Sequence, residues 1–204
     1  MKSFVKIFFC IVAGILLFSC TGKELSPVEY VKWIENENNG LRKSKTMDEL
    51  EFQVQMKPND YVLLKEENIN PLQKKSDFEK EKKQLGDMQY FTLKIKVPDD
   101  TDPLKYKIAD KNEYFARVKY YSFDIQNDLS LVDGNDTVPC SLMHFERTFG
   151  ISPEIICLLG FPPSKSKDGV QDKTFMYYDR VFNTGNLVFN FSKKDILQAP
   201  KLKS

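Results

Sequence analysis

From Leu50 onward the chain is marked by alternation of apolar and polar positions. Met88 to Val97 is the clearest case: Tyr90, Thr92, Lys94 and Lys96 alternate with Phe91, Leu93, Ile95 and Val97, the period-2 pattern of a half-buried strand. Leu50, Phe52, Val54 and Met56 alternate with Glu51, Gln53 and Gln55 in the same way. Further strands are expected at Leu129–Val132, Val138–Arg147, Glu154–Phe161, Phe175–Phe182 and Leu187–Phe191. Asp133-Gly134-Asn135-Asp136 and Thr184-Gly185-Asn186 supply hairpin-type turns between them. Lys57-Pro58-Asn59-Asp60 has turn composition. Tyr61 to Leu64 then fits a short strand or the start of a helix.

Helical spacing appears in three places. Ser26-Pro27-Val28-Glu29 combines a capping Ser, a Pro at the first helical position and a Glu placed to reach back. Val28, Val31 and Ile34 follow as one face, and Asn39-Gly40 supplies a stop. A second helix is expected from Asn70-Pro71 to Leu85, mostly charged between Lys74 and Lys83, with Leu72, Phe78 and Leu85 as a thin apolar stripe. A third starts at Asp110, with Glu113 three residues on, and carries Tyr114, Phe115, Val118 and Tyr121. Strand segments separated by turns, not alternating with helices, predict a mainly β domain with added helices (α+β), antiparallel and sandwich-like.

The first residues have a different pattern. Lys2 and Lys6 precede an apolar stretch from Ile7 to Phe18, which ends at Leu17-Phe18-Ser19-Cys20. The stretch is shorter than the roughly 20 residues that span a bilayer and has the parts of a secretory signal. Its end resembles the lipobox of bacterial lipoproteins, with Leu three residues before the cysteine and a small residue just before it. Phe18 departs from the strictest pattern. The resemblance implies a signal peptide over residues 1–19, lipidation of Cys20, and attachment to the outer membrane. Residues 20–25 are then the lipidated cysteine and a short tether, whose five residues Thr21 to Leu25 span about 17 Å at full extension, and residues 26–204 are a single domain.

Charge excludes some partners. The whole chain carries +1, and loss of Lys2 and Lys6 with the signal leaves −1. Such a chain has no electrostatic claim on nucleic acid. Sixteen Phe and nine Tyr are ample for a core, which argues against disorder. One His is present, which restricts acid–base and metal chemistry.

The remaining chemistry is sparse. His144 and Glu146 lie two apart in an expected strand and share a face, as a weak ligand site or as a hydrogen-bonded His on a sheet beside the ion pair of Glu146 and Arg147. Tyr121 and Tyr178 are weak candidates for stacking on a ligand. Cys140 and Cys157 lie on neighbouring expected strands, either as a disulfide or as two buried apolar residues. The acidic turns at Asp99-Asp100-Thr101-Asp102 and Asp133-Gly134-Asn135-Asp136 lack the closing Glu of a calcium loop, and turn preference alone accounts for them. Lys193-Lys194 and Lys201 to Lys203 fit solvated termini. No phosphate-cradling loop or nucleophile elbow appears, so neither catalytic residues, a cofactor nor a metal site are expected.

Three stretches, taken with the lipobox, resemble a family of uncharacterised lipoproteins from Bacteroidota: Glu29-Tyr30-Val31-Lys32-Trp33 to Asn39-Gly40-Leu41, Met56-Lys57-Pro58-Asn59-Asp60-Tyr61, and His144-Phe145-Glu146-Arg147. That resemblance carries no catalytic residues. Thr21-Gly22-Lys23-Glu24 is similar to the Lys-plus-acidic surface-export signal of that phylum, which leaves the periplasmic face and the cell surface both open. The expected function is a membrane-anchored structural or protein-interaction module of the cell envelope with a protein partner. The alternatives are a lipoprotein that binds a glycan, peptide or metal, and an enzyme acting on cell-wall glycans.

Overall fold

The computed structural model describes residues 23–65, 67–73, 75–147, 152–165 and 169–203. Residues 1–22, which hold the expected signal segment and Cys20, lie outside them, as do Phe149, Gly150 and Ile151 of a turn expected between Cys140 and Cys157.

The described chain is an α+β sandwich. One sheet contains β2 (Arg42–Met47), β3 (Leu50–Lys57), β4 (Gln89–Lys96), β8 (Glu154–Phe161) and β7 (Leu142–Glu146), in that order. The other contains β10 (Gly185–Phe191), β9 (Lys173–Asp179), β5 (Leu129–Asp133) and β6 (Asp136–Pro139). All pairings in both sheets are antiparallel. The inward positions are those the alternation marks: Phe52, Val54, Phe91, Leu93, Ile95 and Leu159 from one sheet, Leu131, Phe175, Leu187 and Phe189 from the other, all at most 2% exposed. The Phe91 ring centroid lies 5.6 Å from those of Phe161, Phe175 and Phe191, so one aromatic ties the two sheets together.

A smaller core lies at one end of the sandwich. Helices α1 (Pro27–Glu35), α2 (Asn59–Lys65) and α3 (Lys75–Leu85) bury Tyr30, Ile34, Tyr61, Leu63 and Phe78 together with Leu25, Leu41 and Leu202. The α1 start is the expected capping box: Glu29 Oε2 accepts from the Ser26 backbone N–H at 3.2 Å and from its hydroxyl at 2.7 Å. Those contacts hold the Glu29 carboxyl below its usual range. Tyr61 to Leu64 belongs to α2, because Tyr61, Val62 and Leu63 are all buried, which a strand with one open face could not achieve. The second helix starts at Lys75 rather than at Asn70-Pro71. Asn70 instead closes a turn, its Oδ1 accepting from the Leu72 N–H at 2.9 Å.

At the far end, α4 (Lys111–Lys119) begins where Asp110 Oδ1 accepts from the N–H groups of Asn112 and Glu113 at 2.8 and 3.0 Å. A π turn over Tyr120–Asp124 follows and inserts Tyr121 into the sandwich, 5.8 Å from Phe145.

Four expectations are corrected. Val138–Arg147 is two strands: β6 pairs with β5 and β7 with β8, and the chain changes sheet over Cys140 and Ser141. β9 ends at Asp179, short of Phe182. The Asp179 carboxylate is turned inward at 1% exposure and accepts from the N–H groups of Val181, Phe182 and Thr184 at 3.2, 3.2 and 3.1 Å, which bends the chain out of the sheet. Lys201 and Lys203 are exposed as expected, but Lys201–Leu202 is strand β11, parallel to β1 (Glu24–Leu25), with Leu202 buried. Glu24 and Leu25, expected within the tether, are therefore part of the folded body, and the Lys201 N–H donates to the Lys23 carbonyl at 3.0 Å.

Candidate functional site

The residues singled out in the sequence lie in separate places. His144 and Glu146 are both exposed on β7, on the face turned away from the other sheet. His144 lines an apolar groove of about 270 Å³ with Val62, Leu85, Tyr90, Leu142 and Leu158, between that face and the helices. Tyr121 is fully buried. Tyr178 is 44% exposed on the outer face of the four-stranded sheet, where the Arg180 guanidinium lies 5.1 Å from its ring centroid. Its neighbour Tyr177 takes the core side at 1% exposure, as alternation requires. His144, Tyr121 and Tyr178 thus share no cavity.

Cys140 and Cys157 are buried free thiols, not a disulfide. The residue opposite Cys157 is Phe145, and Cys140 occupies the corner before β7, its Sγ 3.2 Å from the Leu142 carbonyl. Burial pushes the Cys140 thiol up to about 11 and the Cys157 thiol further in the same direction. A nucleophilic thiol needs a shift of the opposite sign. Of the acidic turns, Asp102 is engaged locally, its Oδ1 accepting from the Leu104 N–H at 3.0 Å. Among the described residues no group of three or more His, Cys, Asp or Glu is placed to hold a metal ion.

The best-built polar site was not singled out in the sequence. A cavity of about 490 Å³ opens at the end of the sandwich where β3, β5 and β8 finish and β4 and β9 begin. Met56, Tyr90, Val170 and Ile196 are among its walls, and Gln89, Asp133 and Lys173 line it together. Asp133 and Lys173 are opposite one another on β5 and β9, and Asp133 Oδ1 lies 2.6 Å from Lys173 Nζ. Gln89 Nε2 donates to Asp133 Oδ2 at 3.0 Å and to the Pro162 carbonyl at 3.1 Å. Both of those partners only accept, so the amide orientation is fixed. Gln89 Oε1 is buried and has no hydrogen-bond partner among the described residues. Ser164 Oγ, at the rim, donates to Asp136 Oδ2 at 2.6 Å.

A signal for this site exists in the sequence. Extending the inward alternation of Leu129 and Leu131 reaches Asp133, and extending that of Phe175 and Tyr177 backwards reaches Lys173. Opposite charges at inward positions of two strands point to a buried pair.

No helix among the described residues is long and apolar enough to cross a membrane. Comparison with protein-family models, with curated proteins and with solved structures finds no match.

Proposed function

We propose that the chain is a lipid-anchored structural or protein-interaction module of the cell envelope, held in the outer membrane through Cys20, with its partner-facing surface at the end opposite the anchor. One observation carries this reading. The chain enters the fold at Lys23–Leu25, beside β11 and α1, at one end of the sandwich, and the exposed aromatics of α4 and its π turn lie at the other. Phe115 is 63% and Phe123 67% exposed, and the Phe115 ring lies 5.4 Å from that of Tyr114. Strand β3 alone, with 8 residues, separates the two ends by about 26 Å at roughly 3.3 Å per residue.

Two phenylalanines this exposed at one end of the fold are the kind of side chain that protein interfaces bury. With Lys23–Leu25 pinned to the body, Thr21 and Gly22 alone separate it from the lipidated cysteine. The near end then rests at the bilayer and the aromatic end projects away from it. Cell fractionation with Cys20→Ala tests the anchor: the parent chain sediments with membranes and carries acyl label, and the variant does neither. A variant that stays membrane-bound overturns the anchor. Protease shaving of intact cells separates the cell surface from the periplasmic face.

A second reading, a ligand-binding lipoprotein, is favoured by the cavity around Gln89, Asp133 and Lys173.

A further inference from the structure

Helix α4 and the π turn that follows it carry a stripe in which cations and aromatic rings alternate. Lys111, Phe115, Lys119 and Phe123 are spaced four apart and are all exposed, the spacing that places side chains on one helix face. In a continuous α-helix, at 3.6 residues per turn, each step of four advances around the axis. Here the Ile125 N–H bonds the Tyr120 carbonyl, five residues back, and such a turn winds more widely. Phe123 therefore stays near the line of Phe115 instead of passing beyond Lys119. The same turn sends Tyr121 inward, so burial of one ring and display of the other have a common cause.

Charge at this face has a definite pattern. The neighbouring ionic groups are engaged within the fold. Asp110 Oδ1 caps the helix, Arg117 Nη2 donates to Glu113 Oε1 at 2.7 Å, and Asp128 is held by Arg180 at 2.7 Å. Lys111, Lys119 and Asp124 are exposed and form no ion pair or side-chain hydrogen bond among the described residues. The face thus offers two ammoniums about 12 Å apart along the axis, at 1.5 Å per residue, with a ring after each and a carboxylate beside Phe123.

A bilayer does not match that pattern. Segments drawn to anionic lipid carry clusters of about 4–8 Lys or Arg, and seating Phe123 among lipid phosphates would press Asp124 against like charge. A protein can oppose each charge separately.

We propose that the partner's docking face is an apolar protein surface with a carboxylate opposite each of Lys111 and Lys119 and a cation or N–H donor opposite Asp124. The two phenylalanines supply contact area, and the charges set register and reject other partners. The inference rests on the interaction-module reading and adds the partner's chemistry to it.

The test is photocrosslinking in intact cells, with the full chain carrying a photoreactive residue in place of the exposed Ala116, which leaves both rings and both lysines intact. The adduct is expected to be protein by mass and to map to a segment containing Asp or Glu. Lys111→Glu with Lys119→Glu is expected to lower its yield about 10-fold or more, since like charges then face each other. Lys111→Arg with Lys119→Arg is expected to keep it. Lys111→Gln with Lys119→Gln removes the charge without reversing it, and reads the same dependence if the reversed chain does not reach the membrane. A lipid adduct overturns the inference in favour of a bilayer surface. So does a protein adduct that survives the glutamate and glutamine variants, that the arginine variant also loses, or that maps to a segment without Asp or Glu. No adduct from the parent chain overturns the interaction reading itself, and this inference with it.

Discussion

Asp133 and Lys173 face each other across β5 and β9 and form an ion pair at 2.6 Å, their side chains 8% and 9% exposed. Burying two charges is stabilising only when both are present, because either one alone is left without solvent or partner. Lys173→Met is therefore expected to cost about 3–5 kcal/mol, and Asp133→Leu combined with Lys173→Met to recover most of that loss. Urea unfolding of the three chains measures both. A loss below about 1 kcal/mol for Lys173→Met would show that water reaches Asp133 freely.

Alkali should weaken the fold. Burial raises the Cys140 thiol from its ordinary 9.0 to about 11 and raises the Cys157 thiol as well. The Tyr30, Tyr120, Tyr121 and Tyr177 hydroxyls are raised above their ordinary 10.0, again mainly by burial. Once pH passes 9.0 the unfolded chain loses thiol protons that the folded chain keeps, so stability falls with rising pH. The contribution of Cys140 is present in full below 9.0 and is lost between 9.0 and about 11. The urea midpoint should decline across that window, and less steeply in Cys140→Ala. A midpoint that holds steady or rises there contradicts the burial of these groups.

The pairing of the two chain ends can be tested at Leu202, which is 8% exposed and packs with Leu25, Tyr30 and Ile34. Leu202→Ala should destabilise the protein by about 2 kcal/mol, at the low end for a buried Leu. It should also open the Lys23–Leu25 segment to trypsin. Unchanged protection at Lys23 would mean that β1 does not depend on β11.

Gly40 has φ +80°, and a Cβ placed on it would collide with the Asp195 carboxylate, which also pairs with Lys43 at 3.7 Å. Gly40→Ala should cost on the order of 2 kcal/mol through left-handed backbone strain alone. Thermal unfolding measures it. A shift indistinguishable from the parent chain would show that the turn relaxes without cost.

The sandwich was legible wherever one strand face is apolar and the other polar. β3, β4 and β8 follow from that alternation, and the capping residues Ser26 and Asp110 from the needs of helix ends. β2 was not legible. Its sequence Arg-Lys-Ser-Lys-Thr-Met lies at a sheet edge and buries neither face, so no hydrophobic signal records its pairing with β3. β1 and β11 are two residues each, and only their distant partners define them. The change of sheet at Cys140 left no mark either, because both halves of Val138–Arg147 have strand composition. At the site, Asp133 carried a turn signal that masked its inward position. Lys173 continues the inward alternation of Phe175 and Tyr177, but its pairing with Asp133 and the place of Gln89 beside them became visible only when the fold brought β4, β5 and β9 together at one end.

The most direct test of the interaction-module reading is site-specific photocrosslinking in intact cells. A photoreactive residue replaces Phe115 or Phe123 at the far end, or Val28, which is 65% exposed on α1 at the anchor end. A discrete protein adduct is expected from positions 115 and 123, none from position 28, and loss of the far-end adduct in Cys20→Ala. Absence of an adduct at both far-end positions, in cells where the chain is folded and membrane-bound, would contradict a partner at that surface.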